Sequence, residues 1–221
     1  MEVFIIAFCD LVKAAGGGGH REGDCIVKSL GEVMRLGKTI RVLGVDDAPF
    51  VHQRGERANF SAILCAGTRF EGMLWGDIEV DGADATDVLC EVIRGSKFYE
   101  QFHVFIMDGL AMGGFNLVDL PRLHQELARP CVAVMRKLPD MARIEAALHN
   151  FEDVERRLAL IQAAGEVYEF DEFVFQCQGE EPEVVARALK LLTREGYVPE
   201  ALRMAHFIGA AVKMGESSSR A

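Results

Sequence analysis

Three strand-like runs precede the first helical period of this chain, and that order restricts its fold more than any other feature. The run at 40–46 is apolar and β-branched, and those at 60–67 and 72–80 are strand-like and joined by a short Gly-Thr-Arg-containing turn, which is how an antiparallel meander reads in sequence. ATDVLCEVIRGS (85–96) then places apolar residues at 88, 89, 92 and 93, a helical spacing that Gly95 is set to stop. HVFIM (103–107) is a short buried-type strand, and FNLVDLPRLHQEL (115–127) predicts a helix. CVAVMR (131–136) is β-rich, and 139–150 predicts a helix opened by Pro139. A strand at 172–179 follows, then helices at 182–196 and from Pro199 to Gly215.

A meander followed by alternating helices and strands is the ribonuclease H-like order: one mixed α/β sheet with helices on both faces. Residues 39–221 are expected to form that single domain. Residues 1–38 lack a clear period, carry the Gly-rich joint AAGGGGHREGD and include a second candidate start at Met34; they are set apart as an extension of unassigned purpose. The six cysteines never form a CxxC pair, so they read as reduced core thiols of a cytoplasmic protein rather than a disulfide or zinc framework. No apolar run approaches the roughly 20 residues of a membrane span, and Glu2 stands where a secretory leader would carry positive charge. The formal charge of −10 opposes non-specific attraction to nucleic acid, unless a local basic groove or bound divalent metal reverses the field.

The apolar strand 103–107 stops on Asp108, followed by a Gly turn. In the expected topology this strand lies parallel to 40–46, so Asp46 and Asp108 emerge together beyond the carboxyl edge of the sheet, where open sheets of this kind bind ligands. Two close carboxylates do not both stay ionised without a proton or a cation. Carboxylate oxygens suit Mg²⁺ or Mn²⁺. Asp81, at the end of the third strand, is a candidate third ligand; Asp84 reads as a helix cap or a further acid. Asp47 is expected on the opposite face, and Asp119 inside the 115–127 helix as a solvated or paired residue. Arg136 and Lys137 end a neighbouring strand on the same edge, where a lysine can hold a phosphate or protonate a leaving oxygen.

IRVLGVDDAPF, EVDGADAT, FIMDGLAMGGFNLVDL, VMRKLPD and PEALRMAHFIGAAVKMGES resemble, in order, successive blocks of the endonuclease dU family, long catalogued as domain of unknown function 99 and related to endonuclease V. The resemblance runs from about residue 39 to the C-terminus. It implies a ribonuclease H-like fold and metal-dependent cleavage of DNA containing deaminated bases, notably deoxyuridine. Asp46 matches the first-strand aspartate of the endonuclease V-like metal site, Asp108 the aspartate of its Asp-Gly turn, and Lys137 its strand-end lysine. The glutamate that endonuclease V uses between the two aspartates has no evident counterpart here, and Asp81 is taken as its substitute. Arg203 and His206, on one face of the last helix, are candidates for a phosphate contact and a proton-transfer or orienting group. Gly114 and Asn116, within GGFN, are candidates for phosphate binding at a helix N-terminus, with capping the alternative for Asn116. Phe50 and Tyr99 are candidate stacking residues for an extruded base. A non-catalytic binding module on the same scaffold, or a phosphohydrolase of small nucleotides, are the competing functions.

Overall fold

The computed structural model describes residues 29–217. Its centre is a seven-stranded sheet built from β1 (Arg41–Asp47), β2 (Arg57–Ala66), β3 (Arg69–Glu79), β4 (Val104–Asp108), β7 (Cys131–Met135), β8 (Tyr168–Phe170) and β9 (Phe173–Gln178), in the order β3-β2-β1-β4-β7-β9-β8. β1, β4 and β7 run parallel; every other neighbouring pair is antiparallel. β5 (Ala111–Met112) and β6 (Asn116–Leu117) form a separate small hairpin. This is the ribonuclease H-like arrangement expected from the order of runs.

Two apolar layers cover the sheet, because its strands are buried on both faces. On one face α2 (Ala85–Arg94) and α3 (Leu120–Leu127) lay Leu89, Ile93, Leu123 and Leu127 against Leu43, Val45, Phe105 and Met107. On the other, α1 (Leu30–Arg35), α6 (Pro182–Leu192) and α7 (Glu200–Met214) pack against Val42, Ile106, Val132 and Phe175. Leu30 and Val33 keep at most 1% of their surface exposed, so the packed body takes in residues earlier than position 39. Residues 1–28 of the extension, with Cys9, Cys25 and the Gly-rich joint, lie outside the described residues.

Helix α7 crosses β1 at very short range. A Cβ on Gly44 would sit 2.6 Å from the Ala201 side chain and 2.9 Å from its backbone carbonyl carbon, so only hydrogen lets the helix lie this close. The buried Ser61 hydroxyl donates to the Ala205 carbonyl at 2.9 Å, fixing the helix over β2. Gly44→Ala should therefore cost about 1–3 kcal/mol through forced separation of α7 from the sheet, read as a lower urea midpoint.

Several boundaries differ from expectation, each for a visible reason. The 115–127 helix begins only at Leu120, because Gly113 (φ +54°) and Gly114 (φ +89°) turn the chain into the β5–β6 hairpin. Asp119 is the N-cap of α3, its carboxylate accepting from the Arg122 amide at 3.0 Å. The helix expected from Pro139 is α4 (Met141–Leu148), capped by Asp140. Helix α5 (Val154–Ala163) and strand β8 were not expected; both are short, and α5 buries Arg157 rather than an apolar stripe. Gly196 does not close α6, which ends at Leu192. Among the described residues no helix is long and apolar enough to cross a membrane.

Candidate active site

The register of β1 and β4 pairs Val45 with Met107, so the next residues, Asp46 and Asp108, leave the parallel pair side by side. Alternation along the strands then assigns the faces. Asp46 continues Val42 and Gly44, Asp108 continues Val104 and Ile106, and Arg136 continues Val132 and Val134. All three emerge on the side covered by α7. Asp47 continues Leu43 and Val45 to the other face, as expected, where its Oδ2 accepts from the Gly113 amide at 2.6 Å.

Asp46 is 8% exposed. Burial pushes its carboxyl up to about 8, and the charges of Asp108 and Asp47 push in the same direction. Burial likewise raises Asp47, against the Gly113 amide, which stabilises its ionised form. From α7, His206 places Nδ1 3.1 Å from Asp46 Oδ2. The Arg136 guanidinium lies 3.3 Å from Asp108 Oδ2, half exposed. Arg203, one turn before His206, pairs with the buried Glu200 and lies 5.5 Å from the Phe207 ring. Asp108, Arg136 and Arg203, with Tyr197 and Leu202, bound a cavity of about 380 Å³ beside the carboxylates.

This donor set bears on metal binding. Among the described residues, no three His, Cys, Asp or Glu side chains gather into a closed metal cage. Mg²⁺ does not need one: it commonly takes one or two carboxylates and fills its octahedron with water and substrate phosphate oxygens. Two adjacent strand-end aspartates, one of them held from ionising by burial and like charge, fit such an ion by donor type and by electrostatic demand.

Other candidates are placed elsewhere. Asp81 is not brought to the pair; it lies in the turn after β3, two strands away from β1, in a left-handed conformation (φ +56°). Its Oδ1 accepts from the Phe115 amide at 2.8 Å and its Oδ2 meets His52 Nε2 at 3.3 Å. Lys137 leaves β7 on the opposite face from Asp108, so Arg136 takes the position foreseen for it. Asp119, not Asn116, is the N-cap of the helix that follows; Asn116 is fully buried, away from any phosphate. Its side chain accepts from the Ala85 amide and donates to the Glu79 carbonyl and Asp84 Oδ1, locking the hairpin to α2. Asp84 spends its carboxylate on Asn116, Arg57 and the Glu79 amide instead of capping α2. Gly114 has a backbone role: a Cβ there would lie 2.3 Å from Asp81 Oδ1. No helix starts at GGFN, and the amides of Gly113 and Phe115 bind the protein's own Asp47 and Asp81 rather than a phosphate. Phe50 is half-buried against the sheet, 5.8 Å from the His52 ring. Tyr99 precedes β4 and so lies at the opposite edge of the sheet, under Arg129. His52 was missed, having only the ordinary look of a loop residue.

Residues 38–213 match the family model described as Endonuclease dU. A UPF0215 protein of Methanothermobacter thermautotrophicus is 38% identical over 192 residues, covering 82% of this chain and 92% of its own length. A UPF0215 protein of Archaeoglobus fulgidus is 35% identical over 184 residues, covering 83% and 99%. The crystal structure of a protein of unknown function from Archaeoglobus fulgidus superposes with a TM-score of 0.74 at 35% identity, covering 78% of this chain and 98% of its own. Endonuclease V of Bacillus subtilis superposes with a TM-score of 0.54 at 12% identity, covering 86% and 84%; that likeness concerns the fold alone.

Proposed function

The chain belongs to the endonuclease dU family, and we propose that it is a Mg²⁺- or Mn²⁺-dependent endonuclease that cuts DNA at deaminated bases such as deoxyuridine. The observation that carries this reading is the convergence of Asp46 and Asp108 at one sheet edge, with Asp46 pushed up to about 8 by burial and its acidic neighbours. Asp46 and Asp108 are the residues that would hold the ion, which when bound supplies Lewis-acid activation of water and stabilisation of the leaving oxygen.

The remaining chemistry belongs to the chain itself. His206 orients Asp46 through its Nδ1 contact. Arg136 is attached to Asp108 by one half-exposed ion pair, which a phosphate oxygen can outbid with bidentate geometry; the guanidinium thus passes from carboxylate to DNA as the strand docks. Arg203 is anchored by Glu200 at the wall of the same cavity. Together they give a locally basic margin to a chain of net charge −10.

The test is incubation of uracil-containing and matching cytosine-containing oligonucleotides with Mg²⁺ or Mn²⁺, with products resolved on a denaturing gel. Strand scission dependent on uracil and metal is expected, and Asp108→Asn should remove it. Independently of activity, added Mn²⁺ should raise the melting temperature of the wild type and not of Asp108→Asn, because an ion bound only by the folded state stabilises that state. Turnover of free deoxyuridine nucleotides with no strand scission would replace the reading by a phosphohydrolase, and metal-independent melting would remove the ion.

A further inference from the structure

A second cavity, of about 730 Å³, opens on the other face of the sheet directly after Asp108, beginning at Gly109 and Leu110 and walled by α4 and α5. Its lining is mostly apolar, with Ile144 and Leu158 on the helices and Met135 on β7, and Lys137 stands at its margin. Its volume exceeds that of one nucleobase severalfold. One polar group in it is out of place. Gln176, on β9, is only 4% exposed and continues the row Met107–Ala133–Gln176 across the sheet. Its Nε2 donates to the Gly165 carbonyl at 2.8 Å, which fixes the orientation of the amide. Its Oε1 has no donor among the described residues. No fully shielded side-chain polar atom among those residues lacks a partner, so this oxygen faces the open cavity. Water can reach such an acceptor, and a ligand that displaces the water must bring a donor of its own.

Deamination creates that donor. Cytosine and adenine present a bare ring nitrogen, an acceptor, on the pairing edge; their deaminated forms carry N–H at the same atom. We propose that Gln176 is the specificity-determining residue of this protein: a deaminated base extruded from its strand enters the cavity and donates its ring N–H to Gln176 Oε1. The second N–H of the Gln176 amide is available to the adjoining base carbonyl. An undeaminated base held in the same pose sets its ring acceptor against Oε1 and its amino group against the amide N–H, so both contacts are lost, the situation in which a polar site discriminates most strongly. In register terms Gln176 lies two strand spacings from Met107, roughly 10 Å, a span that a nucleotide bridges with its phosphate at the sheet edge and its base inside. This inference rests on the endonuclease reading of the Asp46–Asp108 edge and adds to it the choice of base.

The test measures binding rather than cutting. Fluorescence anisotropy of single strands with one central deoxyuridine or one deoxycytidine gives a Kd ratio for wild type, Gln176→Met and Ile144→Trp. The wild type is expected to favour the deoxyuridine strand about tenfold or more. Gln176→Met keeps the volume but not the acceptor, and should bring the ratio to about one. Ile144→Trp fills the cavity from a helix and should do the same without touching the sheet, covering the case in which the Met variant fails to fold. An unchanged ratio in either folded variant, or no preference in the wild type, overturns the assignment. Wild type that prefers deoxyuridine but never cuts would keep Gln176 and remove the nuclease; cutting of both strands alike, with no binding preference, would do the reverse.

Discussion

Asp46→Asn is expected to lower strand cleavage by at least about 10³-fold, several kcal/mol of lost transition-state stabilisation, while making the metal-free protein more stable at pH 8. The sign follows from burial. The folded state holds the Asp46 carboxyl at about 8, against an ordinary 3.8, so it binds the proton more tightly than the unfolded chain. The stability this gives is complete below about pH 4 and is lost as pH rises toward 8. Each pH unit in that interval is worth about 1.4 kcal/mol, and a net gain of about 2 kcal/mol for the neutral amide at pH 8 is expected once local relaxation is allowed for. Urea unfolding at pH 5 and pH 8, without metal, measures it: the difference between variant and wild type should grow with pH. A difference independent of pH would show that the buried carboxyl is not held protonated. Loss of cleavage with loss of folding would show that Asp46 supports structure instead.

Arg157→Lys should cost about 3–5 kcal/mol, a larger effect on stability than that of Gly44→Ala or Asp46→Asn. Its guanidinium is 2% exposed. It donates to the Phe115 carbonyl, to the Asp81 carbonyl at 2.8 Å and to Asp153 Oδ1 at 2.7 Å, and lies 4.2 Å from the centre of the Phe151 ring. An ammonium group has neither the fork nor the flat face for these partners, so buried carbonyls would be left without donors. Denaturant unfolding gives the magnitude. Hydrogen exchange should locate the loss in residues 111–117, since Arg157 ties that hairpin to the end of β3. A lysine variant as stable as wild type would mean that the bonds to both carbonyls contribute nothing.

The contrast between these two residues shows what the sequence reveals. Asp46 and Asp108 were legible because strand period and parallel order together decide which edge a strand-end residue reaches, and both follow from the order and spacing of the apolar runs. The same alternation separates Arg136 from Lys137; ignoring it favoured the lysine. Asn116 and Gly114 looked like phosphate contacts, and Asp81 like a metal ligand, because polar residues around glycines are chemically ambiguous. Their true partners, the Ala85 amide, Asp81 and the Phe115 amide, are remote in sequence. Arg157 gave no signal at all: in VERRLALIQA it resembles its exposed neighbour Arg156, and only the carbonyls that converge on it set it apart. Gln176 was equally silent, a polar residue at the inward position of an apolar strand.

The passage of α7 over Gly44 also has a bearing on protein synthesis. His206 reaches Asp46 only when α7, which follows every strand of the sheet, has settled across β1 and β2. A nascent chain with its sheet already assembled outside the ribosome still has an open carboxylate edge until that helix clears the exit tunnel. On the proposed reading, the site is therefore completed only after all seven strands are in place, and a fragment ending before α7 would carry Asp46 and Asp108 without His206.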